Sequence, residues 1–185
     1  MKSLFLLFSI IFITNDATTE KPALVDYDAF QNLTKEVANY RKDRLINFKT
    51  FTKYSKSRNT IILDTRSAEM FARKHIKGAV NLNFSDFTQD NLASIIPNQN
   101  TRIIIYCNNN IDDDQIHFTS KMVLPKFTTI NDLNAQSSKV VTLALNVPTF
   151  INLYGYGYKN VYELSELVSV KDNKIKFEGT DVRKS

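Results

Sequence analysis

The hydrophobic positions of the chain follow two different periods, which predicts an alternation of helices and strands. Phe30, Leu33, Val37 and Tyr40 recur at spacings of three and four residues and predict one face of a helix. Short apolar runs rich in β-branched residues predict buried strands. These predicted strands are 60–65, 78–82, 101–107 and 159–164. Because they are apolar throughout, they favour an α/β fold with a parallel sheet of about five strands, flanked by helices on both faces.

Helical patterns fill the intervals between these strands. They cover Asn47 to Tyr54, the stretch SAEMFARKH with Ser67 as its N-cap, the stretch FSDFTQDNLASII as one helix ended by Pro97, and the stretch VVTLALNVPTFINLYGYGY. In the last of these, Pro148 predicts either a kink or the first turn, and Gly155 or Gly157 predicts the end. Residues 116–139 have weak periodicity and are expected to form an insertion with local helix.

Four segments follow from these patterns. Residues 1–17 are expected to be a signal peptide, 18–44 a helical extension, 45–170 a single α/β domain and 171–185 a loose polar tail. Lys2 and the apolar run 4–13 fit the core of a secretory signal, because a membrane-spanning helix needs ~20 such residues. The alternative is an uncleaved N-terminal anchor. We therefore expect a mature chain that is periplasmic or secreted and has no membrane span.

Composition narrows the classes of function. The 185 residues are 43% hydrophobic, which is enough for one folded domain with a real core. The net charge of +5 is spread along the chain, so a solvated surface is favoured over a nucleic-acid patch. With only four glycines, the chain has no phosphate-binding loop of the Walker type and no dinucleotide fingerprint.

Cys107 is the only cysteine of the chain, and it ends the third predicted strand in the stretch IIIYCNNNIDDD. A cysteine on an apolar strand is often inert core. Here it stands at the end of the strand, before a polar turn whose N–H groups can face an anion, and a helix is expected after the turn. Sites in open parallel sheets form beyond the carboxyl ends of the strands. Cys107 is therefore a candidate thiolate nucleophile.

Four stretches in this order resemble the successive signatures of the rhodanese-like domain family: IILDTRSAEMF, HIKGAVNL, IIIYCNNN and GYGYKNVYEL. The residues that match the first motif are Asp64, Arg66 and Glu69, those that match the second are His75, Gly78, Ala79 and Asn81, and Cys107 matches the nucleophile. The resemblance identifies 45–170 as a rhodanese-like domain. The chain is also similar to a smaller group of exported bacterial rhodanese-like proteins with an Asn-rich active loop.

The resemblance implies a sulfurtransferase. In the family a cysteine thiolate takes a sulfane sulfur from a donor such as thiosulfate, becomes a persulfide and passes the sulfur to cyanide or a thiol. Cys107 would be catalytic; Asn108, Asn109, Asn110, Ile111 and Asp112 would form the substrate-binding loop; and Asp64, Arg66, Glu69, His75 and Gly78 would support the site. Arg66 is expected to be buried against Asp64 or Glu69. No metal or other cofactor is expected, and the partners would be a small sulfur donor and a thiol acceptor, or a protein persulfide.

The active loop departs from the family pattern. That pattern is Cys-x-x-Gly-x-Arg, whereas the loop from Cys107 to Asp112 has neither the glycine nor the arginine. If Asp112, Asp113 and Asp114 lie solvated near the sulfur, they repel a dianionic donor and disfavour the thiolate. This hypothesis predicts poor use of thiosulfate and better use of a neutral or less charged donor.

Two other functions compete with sulfur transfer. The first is a rhodanese-fold binding module in the cell envelope that does not use its cysteine. The second is a phosphatase-like use of the fold. It is disfavoured because residues 108–116 contain no basic residue that could clamp a phosphate.

Overall fold

The computed structural model describes residues 21–123, 141–142, 144–172 and 174–182 of the chain. The expected signal peptide and residues 124–139 of the expected insertion lie outside these residues. The helices are α1 (Tyr27–Lys42), α2 (Phe48–Ser55), α3 (Ala68–Arg73), α4 (Gln89–Ile95) and α5 (Asn146–Gly155). Within the described ranges, no helix has the length and apolar content to cross a membrane.

A five-stranded parallel sheet forms the centre of the fold, as predicted, and the apolar runs had identified four of its strands. In spatial order its strands are β1 (Leu45–Ile46), β9 (Val161–Leu164), β5 (Arg102–Tyr106), β2 (Thr60–Asp64) and β4 (Ala79–Asn81). In the register of the sheet, Ile104 of β5 lies between Ile62 of β2 and Tyr162 of β9. The carboxyl end of β5 is therefore the middle of one edge of the sheet.

Three short strand pairs lie outside this sheet. They are β3 (His75–Ile76) with β11 (Phe177–Glu178), β6 (Ile111–Asp112) with β10 (Val168–Ser169), and β7 (Met122–Val123) with β8 (Val141–Thr142). The β6–β10 pair is parallel and the other two are antiparallel. Strand β6 follows the Asn-rich loop directly in sequence.

Alternate side chains of β5 enter two separate cores. Ile103 and Ile105 belong to a core shared with α1, α4 and α5, whereas Ile104 and Tyr106 belong to a core shared with α2. None of the four is more than 1% exposed. Because both faces of the strand are covered, it carries an unbroken apolar run instead of an alternating pattern.

Helix α1 packs against the first of these cores. Val37 is 1% exposed, and the ring of Tyr40 meets that of Tyr154 edge-on, with centroids 4.9 Å apart. Asp26 caps the helix by accepting a hydrogen bond from the N–H of Ala29. Phe30, predicted for the same face, remains exposed, so the packed stripe begins one turn later.

The structure corrects one helix prediction and decides between the alternatives of another. The stretch predicted as one helix around residues 84–96 is instead a 3₁₀ turn at Phe84–Asp86 followed by α4, and this prediction was wrong. The helix is interrupted at Thr88, whose backbone is extended. Its side chain caps α4 by accepting a hydrogen bond from the N–H of Asn91. Pro148 lies in the first turn of α5, where its missing N–H is not needed.

Residues 174–182 pack on the domain and are not the loose tail that their polarity suggested. Ile175 is buried, and β11 pairs with β3. A Cβ at Gly179 would lie 2.3 Å from the carbonyl oxygen of Arg73, and the φ of this glycine is +135°, so only glycine permits this close approach. Asp181 then accepts hydrogen bonds from Arg73 and from the ring of His117.

Candidate functional site

Cys107 follows the last residue of β5, at the carboxyl edge of the sheet. The residue is 2% exposed. Its Sγ lies 3.4 Å from the backbone nitrogen of Asn109, which donates to it, and 3.3 Å from Oδ1 of Asn146, to which the thiol donates. The sulfur is therefore held between the loop that follows β5 and the start of α5.

The Asn-rich loop is a single 3₁₀ turn at Asn108–Asn110. The side chain of Asn110 closes it: Oδ1 accepts from the N–H of Cys107 at 3.0 Å, and Nδ2 donates to the carbonyl of Leu164 at 2.8 Å. Asn110 is buried, so the loop is tied to the end of the neighbouring strand β9. Asn110 thus closes the loop at the very position where the family pattern has glycine.

The expected helix directly after the loop is absent from the described chain, since β6 follows the turn at once. This prediction was wrong. The helix terminus at the sulfur belongs to α5, which begins 39 residues after Cys107. The backbone N–H of Asn146, in the first turn of α5, faces the sulfur and favours a thiolate, as a helix N-terminus does.

A chain of polar side chains continues from Asn146 away from the sulfur. Nδ2 of Asn146 donates to Oε1 of Glu163 at 2.5 Å. Arg41 of α1 then binds both oxygens of Glu163, through Nε and Nη2, each at 2.5 Å. Glu163 and Asn146 are 2% and 8% exposed, so the carboxylate lies inside the protein, one side chain away from the sulfur.

The surroundings of Cys107 disfavour its thiolate on balance. Burial raises the pKa of the Cys107 thiol, and the carboxylates of Glu163 and Asp64 add to the increase. The N–H groups of Asn109 and Asn146 act in the opposite direction. Burial also raises the pKa of Glu163, against the bonds from Arg41 and Asn146.

Asp64 and Arg66 form a second buried pair at the end of β2. Nη2 of Arg66 lies 2.7 Å from Oδ2 of Asp64, and the two side chains are 3% and 0% exposed. Arg66 also donates to the carbonyl groups of His117 and Lys74, at 2.9 and 2.7 Å. Asp64 accepts from the phenol of Tyr106 at 2.5 Å. Arg66 thus ties the end of β2 to two loops, and its partner is Asp64.

The acid run after the loop consists largely of paired charges. Asp113 accepts from Lys171 at 2.8 Å and from Ser169, and these bonds lower its pKa. Asp114 is half-buried between Lys74 and His117; burial opposes ionisation, but the two bonds lower its pKa nonetheless. The supposition that all three aspartates are free and solvated beside the sulfur was therefore wrong.

The other residues of the family motifs lie away from the sulfur. Glu69 is exposed in the first turn of α3 and makes no hydrogen bond to another described residue. His75 stacks on Phe71, with ring centroids 3.7 Å apart, and its Nδ1 contacts the carbonyl of Phe71 at 2.7 Å. Gly78, with φ of +80°, donates to Glu178. Ile111, assigned to the loop, is fully buried in the second core.

A cleft opens beside the loop, with a volume of about 580 Å³. Its lining includes Asn109, Asn110 and Asn146, which all contact Cys107, and Asp112 of the loop. The charged lining residues are Arg41, Asp112, Glu163 and Glu166, so three carboxylates face one arginine. Leu45, Val147 and Leu167 form an exposed apolar rim. Within the described ranges, no group of three or more His, Cys, Asp or Glu side chains could hold a metal ion.

Three residues of this site were missed from the sequence: Arg41, Asn146 and Glu163. Two of them, Glu163 and Asn146, had a weak signal. Glu163 interrupts the apolar strand VYEL, and Asn146 interrupts an apolar stretch at a helix start. A buried polar residue needs a partner, but the sequence does not show that these two are partners of each other and of Arg41, which is 122 residues away from Glu163.

The geometry defines an α/β protein with a single cysteine at the carboxyl end of the middle strand of a parallel sheet. The model of the rhodanese-like domain matches residues 48–166, and the chain belongs to this family. This confirms the resemblance found in the four motifs.

Two solved structures resemble the chain. The BH2092 protein from Bacillus halodurans aligns over 82% of this chain and 88% of its own, with 16% identity and a TM-score of 0.48. A rhodanese with anions from E. coli aligns over 65% of this chain and 98% of its own, with 16% identity and a TM-score of 0.37. No curated protein shows significant sequence similarity to the chain.

Proposed function

We propose that this protein is an exported sulfurtransferase that carries a sulfane sulfur on Cys107 and passes it to a thiol or to cyanide. The observation that carries the proposal is the position of the sulfur. Cys107 follows the end of the middle strand, its Sγ accepts a hydrogen bond from the N–H of Asn109, and it contacts Asn146 in the first turn of α5. Both residues line the cleft that a donor would enter.

The reaction needs no group beyond this cysteine. The Cys107 thiolate attacks the outer sulfur of a donor R–S–SH, a new S–S bond forms, and the old S–S bond breaks with its electron pair on the departing thiolate. An acceptor thiolate then attacks the terminal sulfur, and Cys107 leaves as a thiolate. The N–H groups of Asn109 and Asn146 stabilise the anionic sulfur in both steps.

The carboxylates of the cleft favour a neutral or less charged donor over thiosulfate. The apolar rim of the cleft also suits a persulfide carried on a protein. Export is supported by the short apolar run behind Lys2.

Intact mass spectrometry tests the proposal. The purified protein is exposed to thiosulfate or to a polysulfide, and its mass is compared with that of the Cys107→Ser variant. We expect the parent to gain the mass of one sulfur atom, more completely with the polysulfide, and the variant to gain none. A parent that gains no sulfur from either donor would favour the binding module, for which the burial of Cys107 is the specific observation.

A further inference from the structure

Glu163 is a buried carboxylate that the sulfur-transfer reaction does not require. It lies on β9, beside the strand that carries Cys107, and it is 2% exposed. Its oxygens contact Arg41 on one side and the Nδ2 of Asn146 on the other, all at 2.5 Å. Asn146 is the only side chain between this carboxylate and the sulfur along the described hydrogen-bond chain.

These contacts fix the orientation of the Asn146 amide. An ionised carboxylate can only accept hydrogen bonds, so the NH₂ group of Asn146 must face Glu163. The carbonyl oxygen of Asn146 is then left facing the sulfur, 3.3 Å away. A carbonyl oxygen can accept a hydrogen bond from a thiol, but it repels a thiolate.

We propose that Glu163 is a positioning residue which, held by Arg41, turns the Asn146 carbonyl toward Cys107, so that the cysteine rests as a neutral thiol and the site discriminates against anionic sulfur donors. This proposal rests on the proposed function and specifies its substrate class. It places the source of the charge discrimination inside the fold rather than in the acid run of the loop.

The other charges near the sulfur do not remove this effect. From β2, Asp64 is paired with Arg66 and acts on the sulfur in the same direction as Glu163. From α1, Arg41 is occupied by Glu163. From the loop, Asp112 lines the cleft. An anion that enters the site can therefore bind to the N–H groups of Asn109 and Asn146. Among the described residues, it finds no positively charged side chain there that is free of a carboxylate partner.

A neutral donor fits a resting thiol because the reaction then brings no net negative charge into the cleft and leaves none there. When a persulfide R–S–SH reacts with Cys107–SH, the proton of Cys107 passes to the departing thiolate, and the products are Cys107–S–SH and R–SH. With thiosulfate, the departing sulfite carries two negative charges into a cleft lined by Asp112, Glu163 and Glu166. The geometry thus favours a thiol-borne sulfur donor.

Alkylation tests the charge discrimination without relying on sulfur transfer. Iodoacetamide is neutral, and iodoacetate is an anion of similar size. The Cys107 thiolate attacks the CH₂ carbon of either reagent and displaces iodide. In the parent, the iodoacetate-to-iodoacetamide rate ratio should lie well below that of the urea-unfolded chain. Glu163→Gln should raise the ratio about tenfold and shift both rate profiles to lower pH, because the charge is lost and the amide can turn its NH₂ to the sulfur.

Two further variants serve as controls. Glu163→Asp keeps the charge and should keep a ratio close to that of the parent, which separates charge from damage to packing. Asp113→Asn removes an exposed charge that binds Lys171, and it should change the ratio little. The effect of Glu163→Gln should persist in high salt, because buried charges are screened much less than exposed ones.

The outcomes separate this inference from the proposed function. A folded parent with the same ratio as the unfolded chain overturns the inference, even if Glu163→Gln does not fold. Equal ratios in the parent and a folded Glu163→Gln overturn it as well. A low ratio in a protein that never gains a sulfur atom would instead sustain the role of Glu163 and overturn the proposed function.

Discussion

Two buried pairs of an arginine and a carboxylate flank the strand that carries Cys107, and they are built differently. Asp64 and Arg66 are two residues apart at the end of β2, and their side chains are 0% and 3% exposed. Glu163 and Arg41 come from β9 and α1, 122 residues apart, and Arg41 is 27% exposed. Both pairs neutralise a carboxylate near the same sulfur.

The pairs differ in where their remaining hydrogen bonds go. Asp64 is occupied by Arg66 and by the phenol of Tyr106, and Arg66 donates to two carbonyl groups. These bonds hold together the ends of strands and loops. Glu163 instead accepts from Asn146, which contacts the sulfur. The comparison suggests that a pair enclosed by structural partners braces the site, whereas a pair connected to the cysteine adjusts its chemistry.

Loss of the arginines should give the largest effects on stability, and in a definite order. Arg66→Ala leaves the Asp64 charge buried without its partner and should reduce the free energy of unfolding by about 3 kcal/mol. Arg41→Ala should cost less, because Arg41 is partly solvated and Glu163 can take up a proton. Urea unfolding of the two variants measures the difference.

Arg73→Ala is the matched control for these arginine variants. Arg73 pairs with Asp181 at the surface, with 37% of its side chain exposed, so its loss should be the smallest of the three. The expected order is contradicted if Arg66→Ala unfolds at the same urea concentration as the parent, or if Arg41→Ala is the more damaging change.

Tyr106→Phe tests whether the Asp64–Arg66 pair has a structural role. The variant removes the donor to Asp64 and the acceptor of the Ile76 N–H while keeping the volume of a side chain that is 1% exposed. Because the Ile76 N–H is then left without a partner, we expect a loss of about 1–2 kcal/mol in the free energy of unfolding.

The reactivity of the cysteine supplies the second half of this test. The iodoacetate-to-iodoacetamide ratio of Tyr106→Phe should match that of the parent, since the connection between Glu163 and Asn146 is intact. A ratio that changes as much as in Glu163→Gln would show that both pairs tune the sulfur.

Removal of the acid run should have the smallest effect on activity. Asp113 and Asp114 are bound to lysines, and neither carboxylate affects the pKa of Cys107 as Glu163 and Asp64 do. Replacement of Asp112, Asp113 and Asp114 with asparagine should therefore change kcat/KM for thiosulfate:cyanide transfer by about twofold or less at physiological salt. A much larger gain that disappears with salt would return the discrimination to the loop.

The sequence specified the sheet and the location of the cysteine because both depend on local patterns. Strand β5 reads as an apolar run since both of its faces are buried, and the strand must end where the polar asparagines begin. Local capping was equally visible, as at Ser67, whose hydroxyl accepts from the N–H of Met70. The break between the 3₁₀ turn at Phe84–Asp86 and α4 was not predicted, because the pattern of apolar residues does not show that Thr88 caps a new helix there.

The electrostatics of the site could not be read from composition. Three consecutive aspartates looked like the dominant charge near Cys107, but Lys171 and Lys74 fold back onto two of them. Residues 174–182 looked polar and loose, although Ile175 and Gly179 allow them to dock. In both cases the partner lies 40 or more residues away in sequence.

The sequence by itself determined a parallel α/β sheet, a cysteine at the end of its third predicted strand and a loop without the glycine and arginine of the family pattern. Only the tertiary structure decided which helix terminus faces the sulfur and which carboxylate reaches it. The reason is physical: periodicity and capping act over a few residues, whereas a charge acts through distance and burial. Arg41, Asn146 and Glu163 are brought to Cys107 only when α1, α5 and β9 assemble around β5.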